Sequence, residues 1–237
     1  MEKIEPRIRM TSSIFLRCYL KQQKLLFGKE LYLSKEHSIK NDAQFSQNSS
    51  ESKNTLEQYR ISICLCKECN LGETRKNFVY GTGDPNADLM LIGEAPGKDE
   101  DLKGEPFVGR AGELLDKILI AIDKKRGRGV YIANVLKCRP PDNRDPLPSE
   151  VNKCEPYLIK QIKIVKPKLI VALGRIAGKT LLKIDAPLKE MRGKIHSYNG
   201  IPLIVTYHPA ALLRNPKFKK PTWDDFQWIR DQLIKYQ

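Results

Sequence analysis

Four cysteines, one histidine, one asparagine and one glutamate carry most of the chemistry this sequence can support. Cys66 and Cys69 form a C-x2-C pair, and Cys138 and Cys154 follow in a second, distant segment. Four thiolates so arranged suit a tetrahedral zinc site or an iron–sulfur cluster, and spacing alone does not separate the two. The close pair argues against cysteines that are merely buried. Cys64 and Cys18 stand outside the pattern and are read as non-ligands. His208 opens the run His208-Pro209-Ala210-Ala211-Leu212-Leu213-Arg214, where an imidazole beside a proline and near an arginine suits a functional donor. The Asn134 amide offers one donor and one acceptor face, the pattern needed to read the edge of a nucleobase. Glu94 lies inside Gly93-Glu94-Ala95-Pro96-Gly97 and is a candidate for activating water. That loop is neither a Walker loop, since no Gly-Lys-Ser/Thr follows, nor a dinucleotide fingerprint.

Glu94, Asn134, Cys138 and His208 each lie at or shortly after the end of a short aliphatic run. Strands are expected at Leu89 to Ile92, Val130 to Val135, Leu169 to Leu173 and Leu203 to Thr206. Helices are expected between them. Ala111, Leu114, Leu115, Ile118, Leu119 and Ile122 recur at helical spacing, and Leu158, Ile162 and Val165 mark a second helix with Pro156 in its first turn. Ile176 to Ile184 supplies a third, and Trp223 to Tyr236 a fourth with Thr222 as its cap. Such alternation predicts an α/β fold, a parallel sheet covered by helices on both faces. Ligands of such sheets bind at the carboxyl ends of the strands, where the motifs lie.

The chain has 237 residues, 42 Lys+Arg and 28 Asp+Glu, a formal charge of +14. This length buries a real core and leaves room for a tail. Residues 1–57 hold ten basic and seven acidic residues, a net of +3, so +11 belongs to the remainder. That surplus favours a polyanionic partner, because each phosphate neutralised releases counterions. No apolar run approaches the roughly 20 residues of a membrane span. Ile14 to Leu16 is too short for a secretory signal core, so neither export nor disulfides are expected. Asn41 to Asn54 reads as linker or disordered tail, and the domain is placed at 58–237. Thr11 to Leu33 admits helices or an organelle-targeting leader, which Glu2, Glu5 and Glu30 argue against; a mis-assigned start is a third reading.

Taken together, the motifs resemble the family 4, iron–sulfur type of uracil-DNA glycosylase. The resemblance spans 58–237 and rests on Gly93 through Gly97, Pro106-Phe107-Val108-Gly109-Arg110-Ala111-Gly112, Asn134 through Pro141 with Asn143-Arg144, the His208 motif, and all four cysteine positions. It implies a three-layer α/β/α sandwich with a four-stranded parallel sheet, a [4Fe-4S] cluster on Cys66, Cys69, Cys138 and Cys154, and hydrolysis of the deoxyuridine N-glycosidic bond in single- and double-stranded DNA. It further implies Phe107 as a stacking wall, Asn134 as reader of uracil O4 and N3–H, and His208 as donor to uracil O2. Gly93, Glu94 and Ala95 would line the substrate, with Glu100 shaping the wall that excludes the thymine methyl. Where family 1 relatives carry Asp, this chain has Ala95, so Glu94 or Asn143 is expected to position water. Leu212 resembles the wedge that fills the hole left by a flipped base, with a core leucine as the alternative. Arg110, Arg139, Arg144 and Arg214 are expected to hold phosphates.

A glycosylase of wider base scope, acting on hypoxanthine or ethenocytosine, and a non-catalytic metal-bearing DNA binder are the competing readings. A monomer in the cytoplasm, associated with the nucleoid and without membrane contact, is expected. The N-terminal extension, Cys64 and the basic Lys124 to Arg128 turn depart from the family pattern, and none is expected to touch the site motifs.

Overall fold

The computed structural model describes residues 47–236, with side chains from residue 55 onward. It divides into two units, one ending at Cys66 and the other running from Lys67. In the first, helix α1 spans Gln47–Ile63. The polar run read as linker is thus helical from Gln47, and the helix crosses position 58, where the sequence placed the start of the domain. Cys18, His37 and the Thr11 to Leu33 segment lie outside the described residues.

The second unit is an α/β domain. Its elements are α2 (Leu71–Thr74), β1 (Thr82–Gly83), β2 (Leu89–Gly93), α3 (Lys98–Lys103), α4 (Arg110–Ile120), β3 (Val130–Asn134), α5 (Pro148–Val165), β4 (Leu169–Leu173), α6 (Arg175–Leu182), α7 (Leu188–Met191), β5 (His196–Tyr198), β6 (Ile201–Thr206), α8 (Pro209–Arg214) and α9 (Lys219–Lys235). Four parallel strands, in the order β3-β2-β4-β6, form the centre of the sheet, as the sequence implied. The sheet nevertheless has six strands, because β1 and β5 add antiparallel edges. The two-residue β1 is too short for periodicity to reveal. The β5–β6 hairpin did leave a signal in Asn199-Gly200, whose φ values of 50° and 81° give the left-handed turn that such hairpins favour.

Leu89, Leu91, Val130, Ile132, Leu169, Val171 and Ile204 form one apolar face, against which Leu115 and Leu119 of α4 and Phe226, Ile229 and Leu233 of α9 pack. On the opposite face Gln161 of α5 reaches the Tyr131 hydroxyl at 3.3 Å. There Gly178 of α6 lies so close to Val205 that a Cβ would stand 2.9 Å from its methyl. Two helix boundaries differ from expectation. Helix α5 starts at Pro148, which leaves Pro156 inside it rather than in its first turn. Helix α9 starts at Lys219, so Thr222 is no cap; its hydroxyl donates to the Phe218 carbonyl one turn back (2.7 Å). Among the described residues, no helix is long and apolar enough to cross a membrane.

Candidate active site

Register brings the site together. In the parallel pair β2–β3, Gly93 stands opposite Asn134, and in β4–β6 Leu173 stands opposite Thr206, two residues before His208. The four strand ends therefore deliver Gly93, Asn134, Gly174 and His208 to one edge of the sheet. A Cβ on Gly93 would lie 2.4 Å from Asn134 Oδ1 and 2.8 Å from Phe107 Cζ, so the glycine floors the space between them. The Phe107 and His208 rings are stacked, with centroids 5.3 Å apart and planes inclined by 29°. A Cβ on Gly174 would meet His208 Cβ at 3.0 Å, so this glycine lets the histidine close onto β4.

His208 is also the N-cap of α8. The Ala210 amide donates to its Nδ1 (3.1 Å), which assigns the proton of the neutral ring to Nε2. Burial, aided by the Arg214 charge, lowers its pKa to about 4. At neutral pH the site thus presents an uncharged imidazole whose free nitrogen is a donor. Burial, with Asp145 adding and Arg175 opposing, raises the Glu94 carboxyl to about 7. Such a carboxylate is a base strong enough to draw on water at neutral pH.

Further residues hold these groups in place. Glu100 is the first of them. Its Oε2 accepts from the Gly97 amide (3.1 Å) and its Oε1 from those of Val108 and Gly109 (3.0 and 3.4 Å), tying the two glycine-rich loops together. Lys137, fully buried, donates from Nζ to the Asn134 carbonyl (2.7 Å). Arg192 forms a bidentate pair with Asp225 (2.9 Å for each bond), which also accepts from the Thr206 hydroxyl (2.5 Å). The same guanidinium lies 4.4 Å over the Tyr207 ring, so the chain entering His208 is fixed from one side. Sequence reasoning missed Lys137 and Arg192. Lys137 sat in a quoted motif without a role, and Arg192 left no local signal, because its partners lie 15 to 33 positions away along the chain.

A family model described as the uracil DNA glycosylase superfamily matches residues 80–228. The chain is 43% identical over 191 residues to the type-4 uracil-DNA glycosylase of Archaeoglobus fulgidus, covering 77% of this chain and 96% of that one. The type-4 enzyme of Pyrobaculum aerophilum is 46% identical over 172 residues (69% and 87%), and that of Sulfurisphaera tokodaii 43% over 188 (76% and 86%). The chain belongs to the uracil-DNA glycosylase superfamily, in its type-4 branch.

The remaining sequence-predicted positions of this glycosylase fall into two groups. Arg110 and Arg214 are exposed at the ends of short helices beside the site, and Ala95 is half-buried in the loop after β2. The others are buried or bonded within the protein. Leu212 is 2% exposed and belongs to the core, whereas its neighbour Leu213 is 40% exposed. Arg144 is engaged by Glu150 through two bonds of 2.9 and 2.6 Å. Asn143 is exposed, and its amide oxygen takes a hydrogen bond from Arg139 (2.8 Å), so both side chains of that pair have a partner in the protein.

Of the predicted metal ligands, Cys138 and Cys154 are buried and Cys69 is half-buried, all in the second unit; Cys66, half-buried, closes the first. Arg75 donates to Cys138 Sγ (3.1 Å) and the Lys137 amide to Cys154 Sγ (3.3 Å), the kind of donors that thiolate ligands take. Burial, with Cys138 and Cys69 adding and Lys137 opposing, pushes the Cys154 thiol up to about 12, a penalty that a bound cation would reverse. The donor chemistry fits a thiolate-held group. Among the described residues, however, no cluster of three or more His, Cys, Asp or Glu is drawn up at metal-ligand spacing. Cys64 stands outside this set, its Sγ 3.3 Å from the Ile61 carbonyl oxygen.

Proposed function

We propose that this protein is a monofunctional DNA-repair glycosylase that flips uracil out of DNA and hydrolyses its N-glycosidic bond, leaving an abasic site. The observation that carries this reading is the convergence of Asn134 and Phe107 over Gly93, with a neutral, Nε2-protonated His208 stacked on the Phe107 ring. A base inside a duplex must be extruded to be reached, and it then needs one face stacked and one edge hydrogen-bonded. Phe107 supplies the face. Asn134 donates to uracil O4 and accepts from N3–H, while cytosine presents the opposite pattern and would leave both amide groups unpaired, at about 1–3 kcal/mol each.

As the bond breaks, positive charge develops on the sugar and negative charge on the uracil. His208 Nε2–H donates to uracil O2 where that charge accumulates, and the amides of the Gly93 to Gly97 turn assist. A neutral donor suits this role, since a proton held with a pKa of about 4 would otherwise be lost to the leaving base. Glu94, with its raised pKa, positions the water that attacks the sugar. Arg110 and Arg214 hold phosphates, and Leu213, the exposed leucine of α8, fills the space the base leaves. Cys66, Cys69, Cys138 and Cys154 would hold a [4Fe-4S] cluster, with zinc as the alternative, in a structural role that would supply no step of the reaction.

An oligonucleotide panel with one lesion per substrate tests the reading. The expected result is free uracil from single- and double-stranded DNA without strand scission. Release of hypoxanthine or ethenocytosine at a comparable rate would place the enzyme in the wider-scope class, and tight DNA binding without any free base would reduce it to a binder. Visible absorption of a brown protein would mark the iron–sulfur group, and a colourless zinc-loaded protein would refute it.

A further inference from the structure

The basic turn Lys124 to Arg128, set apart in the sequence as a departure unconnected with the site, reaches the site directly. Arg126 donates from Nη1 to the Pro106 carbonyl and from Nη2 to the Phe107 carbonyl, both at 2.9 Å. Its Nε donates to Asp116 Oδ1 on α4 (3.1 Å), which aims the fork. The side chain is 22% exposed, so these bonds are shielded from water on most sides. The turn that carries it is itself closed by the Arg128 amide donating to the Lys125 carbonyl (2.9 Å), with Gly127 at φ 79°.

The segment so held needs holding. Phe107 has φ 55°, a left-handed conformation that a bulky non-glycine residue adopts at a cost, and one that persists only where surroundings fix it. Three contacts fix it here. Glu100 takes the amides of Val108 and Gly109, Arg126 takes the carbonyls of Pro106 and Phe107, and Gly112 lies under the Phe107 carbonyl, where a Cβ would fall 1.7 Å from the oxygen. A carboxylate on the N–H side and a guanidinium on the C=O side clamp one loop between opposite charges.

We propose that Arg126 is a positioning residue for base recognition: its planar fork fixes the backbone of Phe107 and thereby the ring that stacks the extruded base. The proposal rests on the reading of Phe107 as the stacking wall. Two parallel bonds to neighbouring carbonyls require the guanidinium geometry, and a lysine ammonium keeps the charge without the fork. Misplacement of a binding wall by about 1 Å costs about 100-fold in rate.

The test uses the full-length protein and the variants Arg126→Lys, Arg126→Ala, Asp116→Ala and Phe107→Ala. Single-turnover excision, inhibition by free uracil and affinity for an abasic-site oligonucleotide are measured for each, with a thermal melt. Arg126→Lys is expected to lose about 10- to 100-fold in excision, with inhibition by free uracil weakened in step and abasic-site affinity unchanged. Asp116→Ala should fall between it and the parent, and guanidinium ion should partly restore Arg126→Ala but not Arg126→Lys. If Arg126→Ala is too unstable to assay, Arg126→Lys decides. Parent-like excision by Arg126→Lys while Phe107→Ala is crippled overturns the clamp, as does a loss of rate that leaves uracil inhibition untouched. Parent-like excision by Phe107→Ala overturns the stacking reading itself.

Discussion

Gly93→Ala would place one methyl group at the point where the site residues converge. The backbone there is extended β2, so alanine is conformationally acceptable and any effect comes from contact. The added Cβ would stand 2.4 Å from Asn134 Oδ1 and 2.8 to 2.9 Å from Phe107 Cζ and Cε2. The first distance is about 1 Å inside van der Waals contact, and the others are about 0.7 Å inside it. Both neighbours are buried, at 2% and 6% exposure, so neither can swing into solvent to make room. Overpacking of this kind costs about 1–3 kcal/mol. For a domain of this size that lowers Tm by about 2–12 °C and leaves the protein folded at 25 °C. The displaced Asn134 oxygen then stands about 1 Å from where uracil N3–H requires it, and excision should fall by about 100-fold. Single-turnover excision from a uracil-containing oligonucleotide reads the loss, and binding to an abasic-site duplex, which does not use the base slot, should not change. A variant that is folded and excises uracil at the parent rate would refute the placement of the base over Gly93.

Other outcomes follow from the same geometry. His208→Ala should lower excision by about 100- to 1000-fold, the range for loss of one oxyanion-type donor, measured under single turnover. Glu94→Gln should flatten a rate profile that in the parent rises through about pH 7, because only the ionised carboxylate draws on water; an unchanged profile removes Glu94 from the reaction. Folding stability carries its own pH signature. The His208 pKa is lowered on folding, so its contribution is complete above the unfolded value near 6.5 and is lost as pH falls through about 4, on the order of 3 kcal/mol in all. Urea titrations should show this fall in the parent and a flatter curve in His208→Gln. Leu213→Ala should weaken excision from duplex more than from single-stranded DNA, whereas Leu212→Ala should cost about 2–5 kcal/mol of stability, read from the melt.

Much of the frame was legible because it rests on local patterns. Four aliphatic runs separated by helical spacing named the central strands, and the residues directly after them, Glu94, Asn134 and His208, followed from the rule that parallel sheets bind ligands at their carboxyl ends. Phe107 was legible only through the family resemblance, since a phenylalanine in a Gly-rich loop carries no periodicity. The edge strands escaped for opposite reasons. Thr82–Gly83 is held by its pairing with Tyr131 and Ile132 and has no pattern of its own, while the Asn199-Gly200 turn was present and went unread.

Side-chain partners across the chain were beyond the sequence. A charged residue written in one dimension reads as a solvated face, and only packing reveals that Arg126 meets Phe107, that Arg144 meets Glu150, or that Glu100 binds the amides of two loops. Leucines 212 and 213 are chemically identical, so the choice between core and surface waited on the helix's rotation against its neighbours. The sequence by itself determined which chemical groups exist and which strand end delivers each, because strand order and residue type are local properties. Tertiary structure alone decided the direction in which the pKa values of Glu94 and His208 move and how the Phe107 loop is held. Those depend on burial and on hydrogen bonds between residues far apart in the chain.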